Sequence, residues 1–224
     1  MKIVAKRLMA LLAVAAGAVA LAGCGINTIP TKEERAKQAW GDVQAQYQRR
    51  ADLVPNLVAT VQGAAVQERT VLTDVVNARA RATSVNVSAD DLSDPAKFKQ
   101  FQAAQNELSS SLGRLLLVVE NYPQLQSNQN FLALQSQLEG TENRIAIARR
   151  DYNQAATDYN ISLRTFPTVI WAKTIHAGSK PMQLFEAAAG AQAAPSVNFN
   201  LGGPAPASGA SSAAPGSTAP APAR

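Results

Sequence analysis

The stretch FLALQSQLEGTENRIAIARRDYNQAATDYNISLRTF, residues 131–166, decides the fold class of this chain. Its apolar and small residues recur at steps of three and four, which is the spacing of one helix face packed against other helices. A strand would need a period of two, which this stretch lacks. The pattern therefore predicts an all-α fold. The seam consists of Phe131, Leu134, Leu138, Thr141, Ile145, Ala148, Tyr152, Ala155, Tyr159, Ser162 and Phe166.

Two earlier stretches carry similar seams, one from Trp40 to Ala78 and one from Phe98 to Tyr122. The polar run 84–93 separates them. Asp94 followed by Pro95 is typical of a helix N-cap with proline at the first helical position. Proline disfavours a helical residue before it, so Pro123 and Pro167 are expected to follow helix ends, and Ser127 or Asn128 to cap the last helix. These signals predict helices at about 94–122 and 127–166.

Pro55 interrupts the first seam without shifting its phase. Proline inside a helix costs ~3 kcal/mol. A straight helix over 31–82 would also carry Trp40, Val43 and Tyr47 beyond the end of the bundle into solvent, and burying each contributes ~1.5–3 kcal/mol. A reversal near residues 52–56 is therefore expected, although one kinked helix over 31–82 is the alternative. The expected fold is an antiparallel up-and-down four-helix bundle with a kink or reversal at Pro55 and helices at about 31–51, 55–83, 94–122 and 127–166.

The N-terminal region is typical of an export signal. A basic start, Lys2, Lys6 and Arg7, precedes an uncharged run that ends in the lipobox Leu21-Ala22-Gly23-Cys24. The prediction is a signal peptide at 1–23, lipid attachment at Cys24 and a lipidated tether at 24–30; a single-pass anchor is the alternative. This makes the membrane the first partner, reached through the Cys24 lipid in the cell envelope. Gly25, in place of Asp, favours the periplasmic face of the outer membrane.

The C-terminal region has a different composition. Residues 200–224 are mostly Ala, Pro, Ser and Gly, a composition that cannot bury enough apolar area to offset its ordering entropy. A disordered tail is predicted there, after a helical bundle and C-terminal extension at 31–199. The tail is either simply solvated or reaches cell-wall polymer.

The net charge and the residue counts limit the classes of function that are expected for this chain. The net charge is +5, and removal of the three basic residues before the lipobox leaves +2, which gives no reason to expect nucleic-acid binding. Cys24 is the only cysteine, and His176 is the only histidine. His176 is expected to have a surface or packing role. No metal site, cofactor or catalytic residue is predicted, and the chain is not expected to be an enzyme.

Further motifs lie along the bundle: Arg49-Arg50-Ala51-Asp52-Leu53-Val54-Pro55-Asn56-Leu57-Val58 and then Glu68, Glu120-Asn121-Tyr122-Pro123-Gln124-Leu125, Thr141-Glu142-Asn143-Arg144-Ile145-Ala146, Tyr152-Asn153 with Tyr159-Asn160, and Phe166-Pro167. In this order, over roughly residues 35–199, they resemble the LemA family. The resemblance implies a four-helix bundle and brings no established activity. Family members usually carry an N-terminal hydrophobic membrane segment, where this chain has a lipobox.

Charged residues on or beside the seams form a candidate structural network. Arg50 and Glu68 occupy seam positions, and a buried charge must be paired or neutralised. Glu68 is predicted to pair with Arg144 or Arg149; the alternative is that these side chains reach water from the seam edge. The candidate network consists of Arg50, Glu68, Glu142, Arg144 and Arg149.

The end that contains Pro55 and Pro123 is the candidate partner surface, expected to face away from the membrane. It is predicted to gather Arg49, Asp52, Asn56, Asn121, Tyr122 and Gln124, either for a partner or only for turns and caps. The expected function is a lipid-anchored, non-enzymatic interaction or scaffold module that binds an unidentified envelope protein. The alternatives are a structural protein that contacts the cell wall and a hydrolase or metal-dependent enzyme.

Overall fold

The computed structural model describes residues 25–65 and 67–186, together with Arg7. These residues fall within one compact unit, Met1–Glu186. The described residues do not include Cys24 or the predicted tail, and of the predicted signal peptide they include only Arg7. No strand is present in the described part of the chain, and the prediction of an all-α fold is confirmed. The helices are α1 (Thr28–Gln62), α2 (Arg69–Ser84), α3 (Pro95–Val119), α4 (Pro123–Gln126), α5 (Gln129–Ser162) and α6 (Thr168–Lys173), with a 3-10 turn at Ala89–Ser93.

The four long helices α1, α2, α3 and α5 alternate in direction. Trp40 of α1 meets Tyr152 of α5, with ring centroids 5.3 Å apart, and Arg50 of α1 pairs with Glu142 of α5 at 2.8 Å. Residue numbers rise along α1 as they fall along α5, so the two helices are antiparallel. The pairs Ala51–Arg79 and Gln44–Asn86 show in the same way that α2 is antiparallel to α1. The pairs Ala82–Gln105 and Arg81–Glu107 show that α3 is antiparallel to α2.

Helix α1 continues through Pro55 and ends at Gln62, so the predicted reversal near Pro55 is wrong. The chain turns at residues 63–68 instead, and the second helix begins at Arg69. Pro55 has no N–H to donate to the carbonyl of Ala51, four residues earlier. The Arg79 Nε of α2 donates to that carbonyl at 2.7 Å. A neighbouring helix thus replaces the hydrogen bond that proline removes.

The apolar residues that a straight helix was expected to expose are buried. Trp40, Val43 and Tyr47 are 1%, 0% and 6% exposed. The expectation was for a helix that runs straight to residue 82, whereas the chain turns at residues 63–68. Helices α1 and α5 have 35 and 34 residues, against 16 for α2 and 25 for α3. The two long helices pack along each other, which also explains why α5 overshoots α2 and α3. Residues 85–92 and 181–186 cover the part of α1 that α2 does not reach.

Helix boundaries follow the predicted capping signals more closely at the N-terminal ends than at the C-terminal ends. Asp94 caps α3 by accepting from the backbone N–H groups of two following residues, and Asn128 rather than Ser127 caps α5 in the same way. The C-terminal ends lie earlier than predicted, at Val119 and Ser162. At the start of the bundle, α1 begins at Thr28, inside the segment predicted to be a tether.

Two apolar clusters form the core. One surrounds Trp40 and includes Phe98 and Tyr152; the other surrounds Leu57 and includes Leu108 and Leu138. Among the described residues, no helix has both the length and the apolarity needed to cross a membrane.

Candidate functional site

A polar layer centred on Arg50 lies between the two apolar clusters. The Arg50 Nη1 donates to Ser109 Oγ at 2.6 Å and to Glu142 Oε1 at 2.8 Å. Its Nη2 donates to the side-chain and backbone oxygens of Gln105 at 2.7 and 3.2 Å. Gln105 Nε2 donates in turn to the Ala82 carbonyl at 3.1 Å. These residues, which we call the Arg50 network, join α1, α2, α3 and α5.

The heptad seams place this layer. Arg50 lies one step from Tyr47 of the first cluster and one step from Val54 of the second. Gln105 occupies the equivalent position on α3, between Phe101 and Leu108. Sequence reasoning recognised Arg50 as a charge in a seam but missed Gln105, although Gln105 is the only amide in the seam of α3. A polar pair at matching heights fixes helix register, because a shift by one turn would leave both groups unpaired.

Arg50 is 1% exposed, whereas the Glu142 side chain is 42% exposed. The guanidinium carbon also lies 5.1 Å from the centroid of the Tyr47 ring, on its face. Burial raises the pKa of Tyr47, and the nearby Arg149 and Arg50 charges partly oppose this. The Arg50 Nε has no hydrogen-bond partner among the described residues. The network is therefore a charge held by one carboxylate and neutral acceptors, which suits a structural role better than proton transfer.

The predicted pairing of Glu68 with Arg144 or Arg149 is wrong. Glu68 Oε1 accepts a hydrogen bond from the Tyr122 hydroxyl at 3.0 Å, and this contact raises the pKa of Tyr122. Glu68 precedes α2 in the turn near the far end of α1, whereas Arg144 and Arg149 lie along the middle of α5. The predicted position of Glu68 along the bundle axis was wrong because the turn was expected near residues 52–56 and lies at 63–68. Of the candidate network, the structure brings together Arg50 and Glu142.

Arg149 contacts a different feature, the segment at residues 181–186, which is neither helix nor strand and which we call the strap. Its guanidinium carbon lies 4.5 Å from the centroid of the Phe185 ring, and Nη2 donates to the Glu186 carbonyl at 3.4 Å. Arg144 is exposed on α5. Neither arginine reaches Glu68.

Two asparagines of α5 hold the strap. Asn153 Nδ2 donates to the Phe185 carbonyl at 3.0 Å, and its Oδ1 accepts from the Phe185 N–H at 2.9 Å. Asn160 makes the same pair of bonds with Met182, at 2.9 and 2.8 Å. Seven residues of helix rise about 10.5 Å at ~1.5 Å per residue, and three extended residues span about 10 Å at ~3.4 Å per residue. The spacing of the asparagines therefore matches that of the two strap residues.

The strap also closes the first apolar cluster. Met182 and Phe185 are each 7% exposed, and the Phe185 ring lies 4.9 Å from that of Phe98 between centroids. The Tyr152 hydroxyl donates to the Gln183 carbonyl, and the Gln183 N–H donates to the Leu92 carbonyl, each at 2.8 Å. Sequence reasoning missed the strap. The repeated Tyr-Asn pair at 152–153 and 159–160 was the available signal, because each buried tyrosine is followed by an asparagine on the adjacent face.

The predicted partner surface does not form as one surface. Arg49, Asp52 and Asn56 lie exposed along α1, because the helix continues beyond them to Gln62. Asp52 accepts from Gln48 at 2.7 Å. The other predicted members, Asn121, Tyr122 and Gln124, lie at the true end of the bundle. Residues 63–65 and 67–68 with 120–128 are here called the distal turn.

His176 belongs to a packing contact. Its Nε2 lies 3.2 Å from the Ile26 carbonyl oxygen, and its backbone N–H donates to the Trp171 carbonyl at 2.9 Å. A polar cavity of about 510 Å³ lies beside it, lined by residues that include Glu33, Lys37 and Lys180. Among the described residues, no three His, Cys, Asp or Glu side chains are grouped closely enough to hold a metal ion.

Comparison with known proteins gives a consistent result. The model of the LemA family matches residues 39–199. The magnetosome proteins MamQ 1 and MamQ 2 of Paramagnetospirillum magneticum are each 28% identical over 157 residues, covering 63% of this chain and 58% of the relative. Protein LemA of Metamycoplasma hominis is 23% identical over 142 residues, covering 63% of this chain and 61% of the relative. The chain thus spans less than two thirds of the length of these relatives.

Proposed function

The chain belongs to the LemA family, and from that membership we propose that it is a membrane-anchored, non-enzymatic interaction or scaffold module of the cell envelope. The lipid on Cys24 is the proposed anchor. The residue after it, Gly25, favours the outer membrane over the inner. The distal turn is the proposed surface for a protein partner.

The observation that carries the proposal is the direction of α1. The helix has 35 residues and starts three residues after Gly25, so at ~1.5 Å per residue its far end lies about 50 Å from the point where the N-terminal segment joins. Attachment at one end allows a rigid rod to hold its other end up to that distance from a membrane. The Arg50 network supports such rigidity, because it fixes four helices in one register.

The chemistry of the polar groups supports a non-enzymatic role. The buried Arg50 guanidinium donates through Nη1 and Nη2 to side chains of α3 and α5. His176 contacts a backbone carbonyl rather than a nucleophile or a carboxylate. An acyl-transfer or hydrolytic site needs a base aligned with a nucleophile, and within the described part of the chain His176 has no such alignment.

Attachment is tested with the full chain expressed in cells that process lipoproteins. Labelled palmitate is expected to appear on the protein and to be absent from a Cys24→Ser variant. The N-terminus of the membrane-bound wild type then distinguishes the anchors: loss of residues 1–23 supports a lipid anchor, and retention of residues 1–23 supports a membrane-spanning segment. An unlabelled wild-type protein would refute lipidation.

The partner surface is tested with a photo-crosslinking residue in intact cells, placed at Asn121 or Gln124. Arg49 is a matched control position, since it is also exposed but lies partway along α1. A defined adduct is expected from the distal turn and not from the control. Labelling of the same protein from all three positions, or none from the distal turn, would contradict this surface. Substituting Asn121 by alanine should reduce the adduct made from Gln124 without changing the unfolding midpoint.

A further inference from the structure

The start of α1 packs against the segment that follows α5. A Cβ on Gly25 would lie 3.2 Å from the Trp171 indole nitrogen, and Ile26 meets His176. Residues 25–32 and 161–180 therefore form one end of the bundle, here called the proximal end. Residues 1–24 join the described chain at this end.

The proximal end exposes several large apolar side chains close together in sequence. The exposed fractions are 80% for Phe166, 47% for Ile170 and 57% for Ile175. Ile161, near the end of α5, is 48% exposed. The other exposed large apolar residues of the described chain occur singly, along the long helices and, in the case of Leu184, in the strap. Such a concentration in one short segment favours an interaction surface, because exposed apolar residues that occur singly are ordinary.

The charge of this segment is of one sign. Residues 161–180 contain Arg164, Lys173 and Lys180 and no aspartate or glutamate. Two acidic residues, Glu33 and Asp90, line the cavity beside Lys180, and Glu33 is paired with Lys37 at 2.9 Å. Exposed aliphatic and aromatic side chains among basic residues are the composition of segments that lie in a membrane interface. Basic side chains there attract anionic lipid headgroups.

We propose that the proximal end docks on the bilayer surface, with Phe166, Ile170 and Ile175 inserted among the headgroups and Arg164 and Lys173 against anionic lipid. A bilayer is the expected partner of this surface because the uncharged run from Leu8 to Gly23, the predicted membrane-attachment region, joins the bundle at Gly25. This inference rests on the proposed membrane attachment. It adds a second contact that fixes how the bundle stands on the membrane, whether the anchor is a lipid or a span.

Tryptophan fluorescence tests the docking. The chain has two tryptophans, Trp171 at the proximal end and Trp40, which is 1% exposed in the core. The full chain, purified from membranes, is reconstituted into vesicles that contain anionic lipid and lipids brominated at defined depths. Bromines near the headgroups are expected to quench Trp171, and a Trp171→Phe variant should lose that quenching.

The decisive variant is Phe166→Ser with Ile170→Ser. Both side chains are exposed, so the unfolding midpoint should remain unchanged. Most of the quenching of Trp171 by brominated lipid should be lost. Leu117→Ser, at a 63% exposed site on α3, is the matched control and should leave the quenching unchanged. Vesicles without anionic lipid should reduce the quenching.

Sedimentation of the same vesicles separates the two proposals. If the full chain sediments with vesicles but Trp171 is quenched by aqueous acrylamide and not by brominated lipid, the docking is overturned and the attachment stands. If neither quencher reaches Trp171, the half-buried indole lies outside the bilayer and the docking is again overturned. Failure to sediment overturns both proposals.

Discussion

Arg79 of α2 donates through Nε to the backbone carbonyl of Ala51 on α1 at 2.7 Å. That carbonyl is the one that Pro55 leaves without an intrahelical donor. The contact explains how a proline lies in the interior of a 35-residue helix without ending it. It also ties the position of α2 to the sequence of α1.

Replacement of Arg79 by alanine should lower the free energy of unfolding by about 1–2 kcal/mol, since the buried carbonyl then has no partner. In a Pro55→Ala background, the backbone N–H gained at this position can serve that carbonyl, and the same replacement should cost much less. A double-mutant cycle in chemical denaturation measures the difference. Equal costs in both backgrounds would show that Arg79 acts elsewhere.

Removal of the Glu142 carboxylate should destabilise the fold, because Arg50 is buried and retains only neutral acceptors. Glu142→Ala is expected to cost about 1–3 kcal/mol, at the lower end because the Glu142 side chain is 42% exposed. In an Arg50→Met background, the cost should nearly vanish. Glu139→Ala, on the exposed face of α5, is the control. Additive costs for the Arg50 and Glu142 changes would refute the pairing.

Loss of the two strap-holding asparagines should release residues 181–186. The double variant Asn153→Ala and Asn160→Ala removes four hydrogen bonds to the strap backbone. Amide hydrogen exchange at Met182 and Phe185 should become faster, and the unfolding midpoint should fall because Phe185 leaves the apolar cluster. Gln154→Ala, a neighbouring position on α5 that does not bond the strap, should change neither. Unchanged protection at Phe185 would show that packing alone holds the strap.

Stability should fall in alkaline solution. Burial raises the pKa of Tyr152 above its ordinary value of 10.0, and burial raises that of Tyr159 as well. Above about pH 10 the unfolded tyrosines lose protons that the folded ones keep, so the free energy of unfolding decreases as pH rises. Below that pH both states are protonated, and these groups add no pH dependence.

Denaturation between about pH 8 and 11 measures this effect. A Tyr152→Phe variant, although less stable because it lacks the hydrogen bond to Gln183, should show a shallower decline above pH 10. An identical slope in wild type and variant would mean that Tyr152 titrates with its ordinary pKa in the folded protein.

Local patterns in the sequence determined much of this fold. The steps of three and four from Phe131 to Phe166 correctly predicted one long helix, and the Asp94 and Asn128 caps are confirmed, because such signals act within a turn or two of helix. Arg50 was identifiable as a seam charge for the same reason. The alternation of helix directions followed from the count of turns.

Only the tertiary structure decided which groups meet. Whether Pro55 ends a helix depends on a donor from α2, and the partner of Arg50 depends on which carboxylate α5 brings to its height. An error of about ten residues in one turn moved Glu68 away from every arginine predicted for it and placed it beside Tyr122. The strap shows the same limit, because the Asn153 and Asn160 amides find their partners more than twenty residues along the chain. Periodicity and capping are local in sequence, whereas hydrogen-bond partners between helices are set by packing.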